Sequence, residues 1–243
     1  MAKILTREEY DELNSFLEPR IMSLWKHENE HNHVQDYTQT GFPINLIFKY
    51  HTDIEGEFIY VIYNSLFLSL LDNYFPIAIT KYPELFGTGN AWDVLEALYT
   101  CSNYSFGDIV SYRECLQDVP CYIVYKRNGN FCNDILRLDL FRDIKNDSKK
   151  SITDFIGGLF HALKHFSLGG INLSINKEIN DVFDVTHVVY LIAMAFRHRE
   201  GEGCSFRATQ DMNDSHQIVY HFYKEENNSI FFLKTCYKCK KKK

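Results

Sequence analysis

The sequence predicts an α+β protein built in two parts. Residues 1–147 are expected to form a mixed α/β domain, and residues 151–243 two helices followed by a three-stranded antiparallel meander. Three observations predict this. Strand-like runs over 45–63 and 121–138 interleave with helical patterns in the first part. Apolar residues at three- and four-residue spacing open the second part. Three runs rich in β-branched and aromatic residues close it: FRATQ, HQIVYHFYK and SIFFLKTCYK.

Taken in order, Thr6 and Glu9 form a capping box, in which each side chain satisfies the other's backbone donor. That helix is expected to run to about Glu18. Pro19 has no amide proton and suits a first turn, so a second helix is expected to start there, with Ile21, Leu24 and Trp25 inward. Asn45 to Tyr50 and Glu57 to Tyr63 read as strands around a turn at Thr52 to Gly56. Ser65 to Tyr74, with Leu66, Leu68, Leu70 and Leu71, reads as a buried helix. Asn90 caps a short helix over Val94, Leu95 and Leu98. Cys121 to Lys126 and Phe131 to Leu138 flank Asn128-Gly129, a pair that accepts the positive φ angles of a tight hairpin. The polar run KNDSKK, Lys145 to Lys150, marks the boundary.

Ser151 then caps a helix expected to reach Phe166, with Ile152, Phe155, Ile156, Leu159, Phe160 and Leu163 as its buried stripe. His161 and His165 stand four apart at the margin of that stripe. Gly169-Gly170 ends the element. A second helix is expected from about Asp181 to Arg199, apolar nearly all round between Val188 and Phe196. Its last turn carries Arg197, His198 and Arg199 against the negative end of the helix dipole. Strands are expected at Phe206–Gln210, Gln217–Lys224 and Ile230–Tyr237. Strict alternation would set Leu233, Thr235 and Tyr237 on one face and Phe232, Lys234 and Cys236 on the other. Lys240 to Lys243 read as a solvated tail.

Composition narrows the function classes. Apolar residues make up 45% and charged residues 24%, the balance of a globular chain that buries its own core. The net charge of −6 is uneven: residues 1–150 carry 14 basic and 22 acidic side chains, and the rest 12 and 10. Seven scattered cysteines show no disulfide framework and suit a reducing compartment. No signal-peptide pattern opens the sequence, and no apolar run is long enough to span a bilayer. A cytoplasmic protein without membrane association is expected.

Several motifs carry chemistry. His27, Glu28 and His31 match H-E-x-x-H, yet Asn29 and Glu30 lie between the histidines and no third ligand is assignable. A solvated helix end outweighs a zinc hydrolase there. Cys236 and Cys239 have zinc or redox spacing without a second pair, and His216 and His221 would have to complete the set. No glycine loop cradles a phosphate. The last strand with the upstream histidines can instead supply a phosphodiester site. Such a site needs a base for a ribose 2′-OH and donors for the charged phosphorane, without a metal or other cofactor.

The run Phe232-Leu233-Lys234-Thr235-Cys236-Tyr237 has the apolar-apolar-x-Thr-x-Tyr form of a final strand in the barnase–EndoU–colicin–RelE group of ribonucleases. Residues 151–243 resemble that group in placing helices before a β-meander. The resemblance implies a metal-independent ribonuclease, toxin-like or phage-defence-like, that engages RNA through the C-terminal half. It implies a helix histidine, His161 or His165, as the base, Arg207 as the phosphate holder, and Thr235 and Tyr237 as orienting groups. The alternative is a non-enzymatic interaction protein, an immunity or accessory factor. It would bind another protein through the acidic N-terminal half.

Overall fold

The computed structural model describes residues 5–30, 45–64, 67, 75–82, 84, 91–101, 120–140, 142–143, 156–159, 162, 166–168, 171–172, 185–224 and 229–241. The described helices are α1 (Arg7–Glu30), α2 (Phe75–Lys81), α3 (Ala91–Cys101) and α4 (Val185–Arg197). The larger strands are β1 (Asn45–His51), β2 (Glu57–Asn64), β3 (Cys121–Arg127), β5 (Ile135–Leu138), β11 (Ser205–Asp211), β12 (His216–Lys224) and β13 (Ile230–Lys240). The short ones are β4 (Asn130–Phe131), β6 (Arg142–Asp143), β7 (Ile156–Gly157), β8 (Ser167–Leu168), β9 (Ile171–Asn172) and β10 (Glu200–Glu202).

One nine-stranded sheet dominates, ordered β1-β2-β3-β5-β13-β12-β11-β10, with β4 also on β3. Its neighbours are antiparallel except β5 and β13, which run parallel with Ile135, Leu136 and Arg137 opposite Ile230, Phe231 and Phe232. This corrects the expected fold class. The three expected strands form, but not as a meander that closes a separate pair of helices. They are one wing of a mixed sheet whose other wing comes from the first half of the chain. The physical reason lies in the edge of β13: Phe231 and Leu233 extend the apolar surface of β5, so pairing the two wings buries both.

Two further expectations are corrected. A single α1 runs through Pro19 instead of restarting there. Leu13, Leu17 and Ile21 lie on one helical face and bury against Tyr60, Ile62, Tyr122, Val124 and Ile135. Each such side chain is worth roughly 1.5–3 kcal/mol, which together outweighs the ~3 kcal/mol that an internal proline costs. Arg20 Nη1 also donates to the Phe16 carbonyl at 2.7 Å, close to the interrupted turn. The second correction concerns the helix expected from Ser151. Ile156 and Gly157 instead form β7, paired with β6, and helical geometry is found at Leu159 and Ala162. Gly158 explains the break: its φ is +99°, and a Cβ there would lie 2.8 Å from the Asp139 carbonyl oxygen. The Leu159 amide donates to that same oxygen at 2.8 Å.

Other expectations hold. The capping box forms, with the Thr6 amide donating to Glu9 Oε2 at 3.0 Å and the Glu9 amide to Thr6 Oγ1 at 3.3 Å. Asn128 and Gly129 adopt φ of 50° and 80°, the two-residue turn that joins β3 to β4. The expected helix over Ser65 to Tyr74, the cap at Asn90, the boundary at Lys145 to Lys150 and Gly169-Gly170 lie outside the described residues, Phe67 apart.

The sheet has two unlike faces. Side chains from α2, α3, α4 and the 159–166 segment close one face into the main core, with Phe196 edge-on to Phe222 and Phe231 at centroid distances of 5.2 and 5.1 Å. On the other face Leu13, Leu17 and Ile21 of α1 pack on β2, β3 and β5, with Ile47 and Ile230 at the margins. Lys49–Glu9 and Lys126–Glu12 pairs flank that contact.

At the end of α4, Arg197 ties the wings together. Its Nη1 donates to Glu57 Oε2 at 2.7 Å and its Nη2 to Asp53 Oδ1 at 2.7 Å. Arg127 holds Glu57 Oε1 through Nε at 3.0 Å and Nη2 at 2.6 Å, and the Thr52 hydroxyl donates to Oε2 at 2.9 Å. Burial pushes the Glu57 pKa up. The bonds from Arg127, Thr52 and Arg197 outweigh it and hold the carboxyl below its usual range. The unfolded chain therefore takes up this proton first, so the stabilisation exists above the unfolded pKa and is lost as pH falls through the folded one. Arg197→Met should cost about 1.5–3 kcal/mol, because it removes one charged donor from a buried carboxylate that Arg127 and Thr52 still hold. Asp53→Asn, on the exposed side of the same guanidinium, should cost much less. Urea midpoints at neutral pH check this, and equal losses would refute the assignment of Glu57 as the buried anchor.

Candidate active site

The part of the second face that no described helix covers lies over β11, β12 and β13, where Val219 is nonetheless fully buried. Cross-strand register puts Arg207 opposite His221 and His221 opposite Thr235, one row across three strands. The next row is Thr209, Val219 and Tyr237, and the following one is Asp211, Gln217 and Cys239. Among the described residues no helix packs over these rows. Arg207 and Tyr237 are exposed, while His221 and Thr235 are half-buried.

A register shift between His221 and Phe222 shapes the row. Phe222 faces Leu233 and His221 faces Thr235, so Lys234 is an extra residue on β13. The bulge corrects the alternation expected for this strand. Leu233 and Cys236 both enter the core, and Thr235 and Tyr237 point to the opposite face. A bulge leaves the extra residue unpaired and re-aims its neighbours. Lys234 is exposed here, and its charge is felt at His221.

The His221 ring stacks on Tyr237, with centroids 5.6 Å apart and planes at 22°. Its Nε2 lies 3.2 Å from the Tyr237 hydroxyl. Partial burial lowers the His221 pKa, and the positive charges of Arg207 and Lys234 lower it further. The imidazole is thus held neutral, with cations on two sides and a phenol as hydrogen-bond partner. That arrangement suits a base whose substrate is an anion.

Toward the end of β13 the surface dips into a depression of about 540 Å³, lined by Arg207, Gln217, Tyr237, Cys239, Lys240 and Lys241. Gln217 Nε2 approaches Cys239 Sγ at 3.5 Å, and Lys241 Nζ pairs with Asp211 Oδ2 at 2.9 Å. The expected solvated tail is therefore partly strand: Lys240 pairs with His216, and the Lys241 amide donates to the Ser215 carbonyl at 2.9 Å.

Of the site residues the sequence proposed, Arg207, Thr235 and Tyr237 come together on this face. His161 and His165 lie outside the described residues. Their neighbours Leu159, Ala162 and Phe166 are fully buried, and the Cys236 thiol approaches the Ala162 carbonyl at 3.9 Å. Leu159, Ala162 and Phe166 belong to the core on which Leu233 and Cys236 of β13 also pack. His221 is the residue sequence reasoning missed in this role. Its signal was alternation within HQIVYHFYK, where Ile218, Tyr220 and Phe222 go to the core and set His221 opposite them.

The Cys236 and Cys239 thiols do not come together. Cys236 points into the core and Cys239 into the depression, so the sheet separates the two thiols. His31 lies outside the described residues, and no group of three or more His, Cys, Asp or Glu among the described residues is placed to hold a metal ion. No described helix is long and apolar enough to cross a membrane. Comparison with protein-family models, with curated proteins and with solved structures returned no match.

The electrostatic account is open to direct measurement. The His221 ring protons should titrate below the ordinary value of 6.5. Arg207→Ala and Lys234→Ala should each move the midpoint upward, by less than burial moves it down. A histidine depressed in the fold lends stability that is lost as pH falls below the unfolded value. An NMR titration showing no response to either substitution would remove the cations from the account.

Proposed function

We propose that the C-terminal wing is a metal-independent ribonuclease site, with His221 as its general base. The observation that carries the reading is the placement of His221, opposite Arg207 and Thr235 in the cross-strand register, beside the unpaired Lys234, with Nε2 3.2 Å from the Tyr237 hydroxyl. An anionic substrate is drawn to this face by Arg207, Lys234, Lys240 and Lys241. The imidazole stays unprotonated near neutrality, where a base is both free and strong enough to act.

In the scheme, the Nε2–H of His221 donates to the Tyr237 oxygen, and the Nδ1 lone pair faces the substrate. Nδ1 takes the proton of a ribose 2′-OH as that oxygen bonds to the adjacent phosphorus. Arg207 and Lys234 hold the phosphate oxygens, whose charge grows in the phosphorane, and a fixed cation stabilises that state more than the ground state. Thr235 orients a phosphate oxygen through its hydroxyl. The P–O5′ bond breaks, the departing oxygen takes a proton from the Lys234 ammonium, and the imidazolium and amine re-equilibrate with solvent. The products are a 2′,3′-cyclic phosphate and a 5′-hydroxyl.

The test is purified protein with labelled RNA in excess chelator. His221→Ala should lower the cleavage rate by about 10²–10⁴, and Arg207→Ala by about 10²–10³. Activity should rise with pH along a limb set by the depressed His221 midpoint, and Lys234→Ala should move that limb to higher pH. Full activity in His221→Ala would sink the assignment of the base. Intact RNA from several substrates, folded tRNA included, would favour a non-enzymatic interaction protein.

A further inference from the structure

We infer that the depression beside Tyr237 is a subsite for one unpaired nucleotide, with its base against the Tyr237 ring and a flanking phosphate on Arg207. The inference deepens the ribonuclease reading and rests on it for the choice of RNA.

Four observations converge. Tyr237 is one of three exposed large hydrophobic side chains among the described residues, at 36% exposure. The other two, Ile54 and Ile77, lie elsewhere and have no flat aromatic surface. The depression has three cations in its lining, Arg207, Lys240 and Lys241, and no carboxylate among its lining residues. Asp211, opposite Gln217 in the register, pairs with Lys241 and offsets its charge. Its volume of about 540 Å³ lies within the usual range for a small-ligand pocket. Gln217 brings an amide able both to donate and to accept, which suits the polar edge of a base.

The geometry ties this pocket to the proposed cleavage point. Tyr237 follows Thr235 by two residues on one strand face, a rise of about 6.5–7 Å. A phosphate at Arg207 and His221 therefore has its neighbouring nucleotide over Tyr237. Arg207 borders both places and fixes their order along β13. A base can reach a tyrosine ring only when it is unpaired. In an A-form duplex the bases are stacked inside and present only their edges. The subsite thus selects single-stranded or looped RNA, through aromatic stacking combined with a positive surface.

Binding can be read apart from cleavage by using a fluorescein-labelled 2′-O-methyl oligonucleotide, which has no free 2′-OH to react. Single-stranded oligonucleotide, its duplex and single-stranded DNA of the same sequence would be titrated by anisotropy. The single strand should bind at least about 10-fold tighter than the duplex. Tyr237→Ala should remove that preference. Tyr237→Phe keeps the ring and should retain it, even where loss of the hydroxyl slows cleavage. The double variant Lys240→Ala/Lys241→Ala should weaken every ligand and flatten the salt dependence. Unfolding midpoints would confirm that each variant is folded.

Equal binding of duplex and single strand, an unchanged preference in Tyr237→Ala, or no binding to any oligonucleotide would each overturn the inference. Cleavage of unmodified RNA without a single-strand preference leaves the ribonuclease reading standing and removes the subsite. Tyr237-dependent single-strand binding with unmodified RNA left intact keeps the subsite and removes the nuclease. Equal affinity for single-stranded DNA would assign the subsite to the base and phosphate, with no contribution from the ribose.

Discussion

The Glu57 carboxylate has no exposed side-chain surface, and a charge in such a place persists only where donors replace the water it has lost. Here the donors come from three separate parts of the chain: Thr52 ahead of β2, Arg127 at the end of β3 and Arg197 at the end of α4. The last is the decisive one. Arg197 reaches across from the second half of the chain, and its own side chain is only 4% exposed. Neither partner can be lost without leaving the other charged and buried. α4 is thereby held at one position over the sheet, and the chain leaves it directly into β10 and β11. The row that carries Arg207 starts from that fixed point.

The unequal covering of the sheet follows from the same arrangement. With α4 anchored, Phe196 packs on Phe222 and Phe231, and one face becomes a continuous core under both wings. The opposite face has α1 alone among the described helices, and the cluster around Leu13, Leu17 and Ile21 extends to Ile135 on β5 and Ile230 at the start of β13. A site on the remaining wing therefore has a packed core directly behind it. Such backing limits side-chain movement, which is what a base and its phosphate-binding partners require. It also leaves His221 half-buried, and that partial burial is the main cause of its lowered pKa.

Local chemistry was legible in the sequence, and long-range pairing was not. The capping box at Thr6 and Glu9, the Asn128-Gly129 turn and the three C-terminal strands each depend on residues within a few positions of one another. Pro19 was misread because the propensity of one residue was set against a burial term that only the sheet supplies. The stripe from Ile152 was extended through Gly157 and Gly158, where two consecutive glycines already argued for a break. The parallel joining of β5 to β13 depends on two strand edges far apart in the chain, and neither run shows its partner. For the candidate site, Arg207, Thr235 and Tyr237 came from the resemblance to ribonucleases, and the cross-strand register brings them onto one face. His221 was not legible, since its importance depends on a register across three strands and on a bulge that no alternation rule supplies.

That bulge resolves a conflict of parity within β13. Phe231 and Leu233 must face the core to meet Phe196 and Phe222, and Cys236 must face it to pack beside Ala162. Under strict alternation Phe231, Leu233, Thr235 and Tyr237 share one face, so Thr235 and Tyr237 would be driven into the core and Cys236 out of it. One additional residue opposite the His221–Phe222 junction switches the parity. The first part of the strand then faces the core through its odd-numbered residues, and the second part through its even-numbered ones. The residue absorbed in making the switch is Lys234, which is released from pairing at the point where its charge acts on His221. A requirement of core packing thus also sets the polar row, and it delivers a cation to that row from a position the ladder does not use.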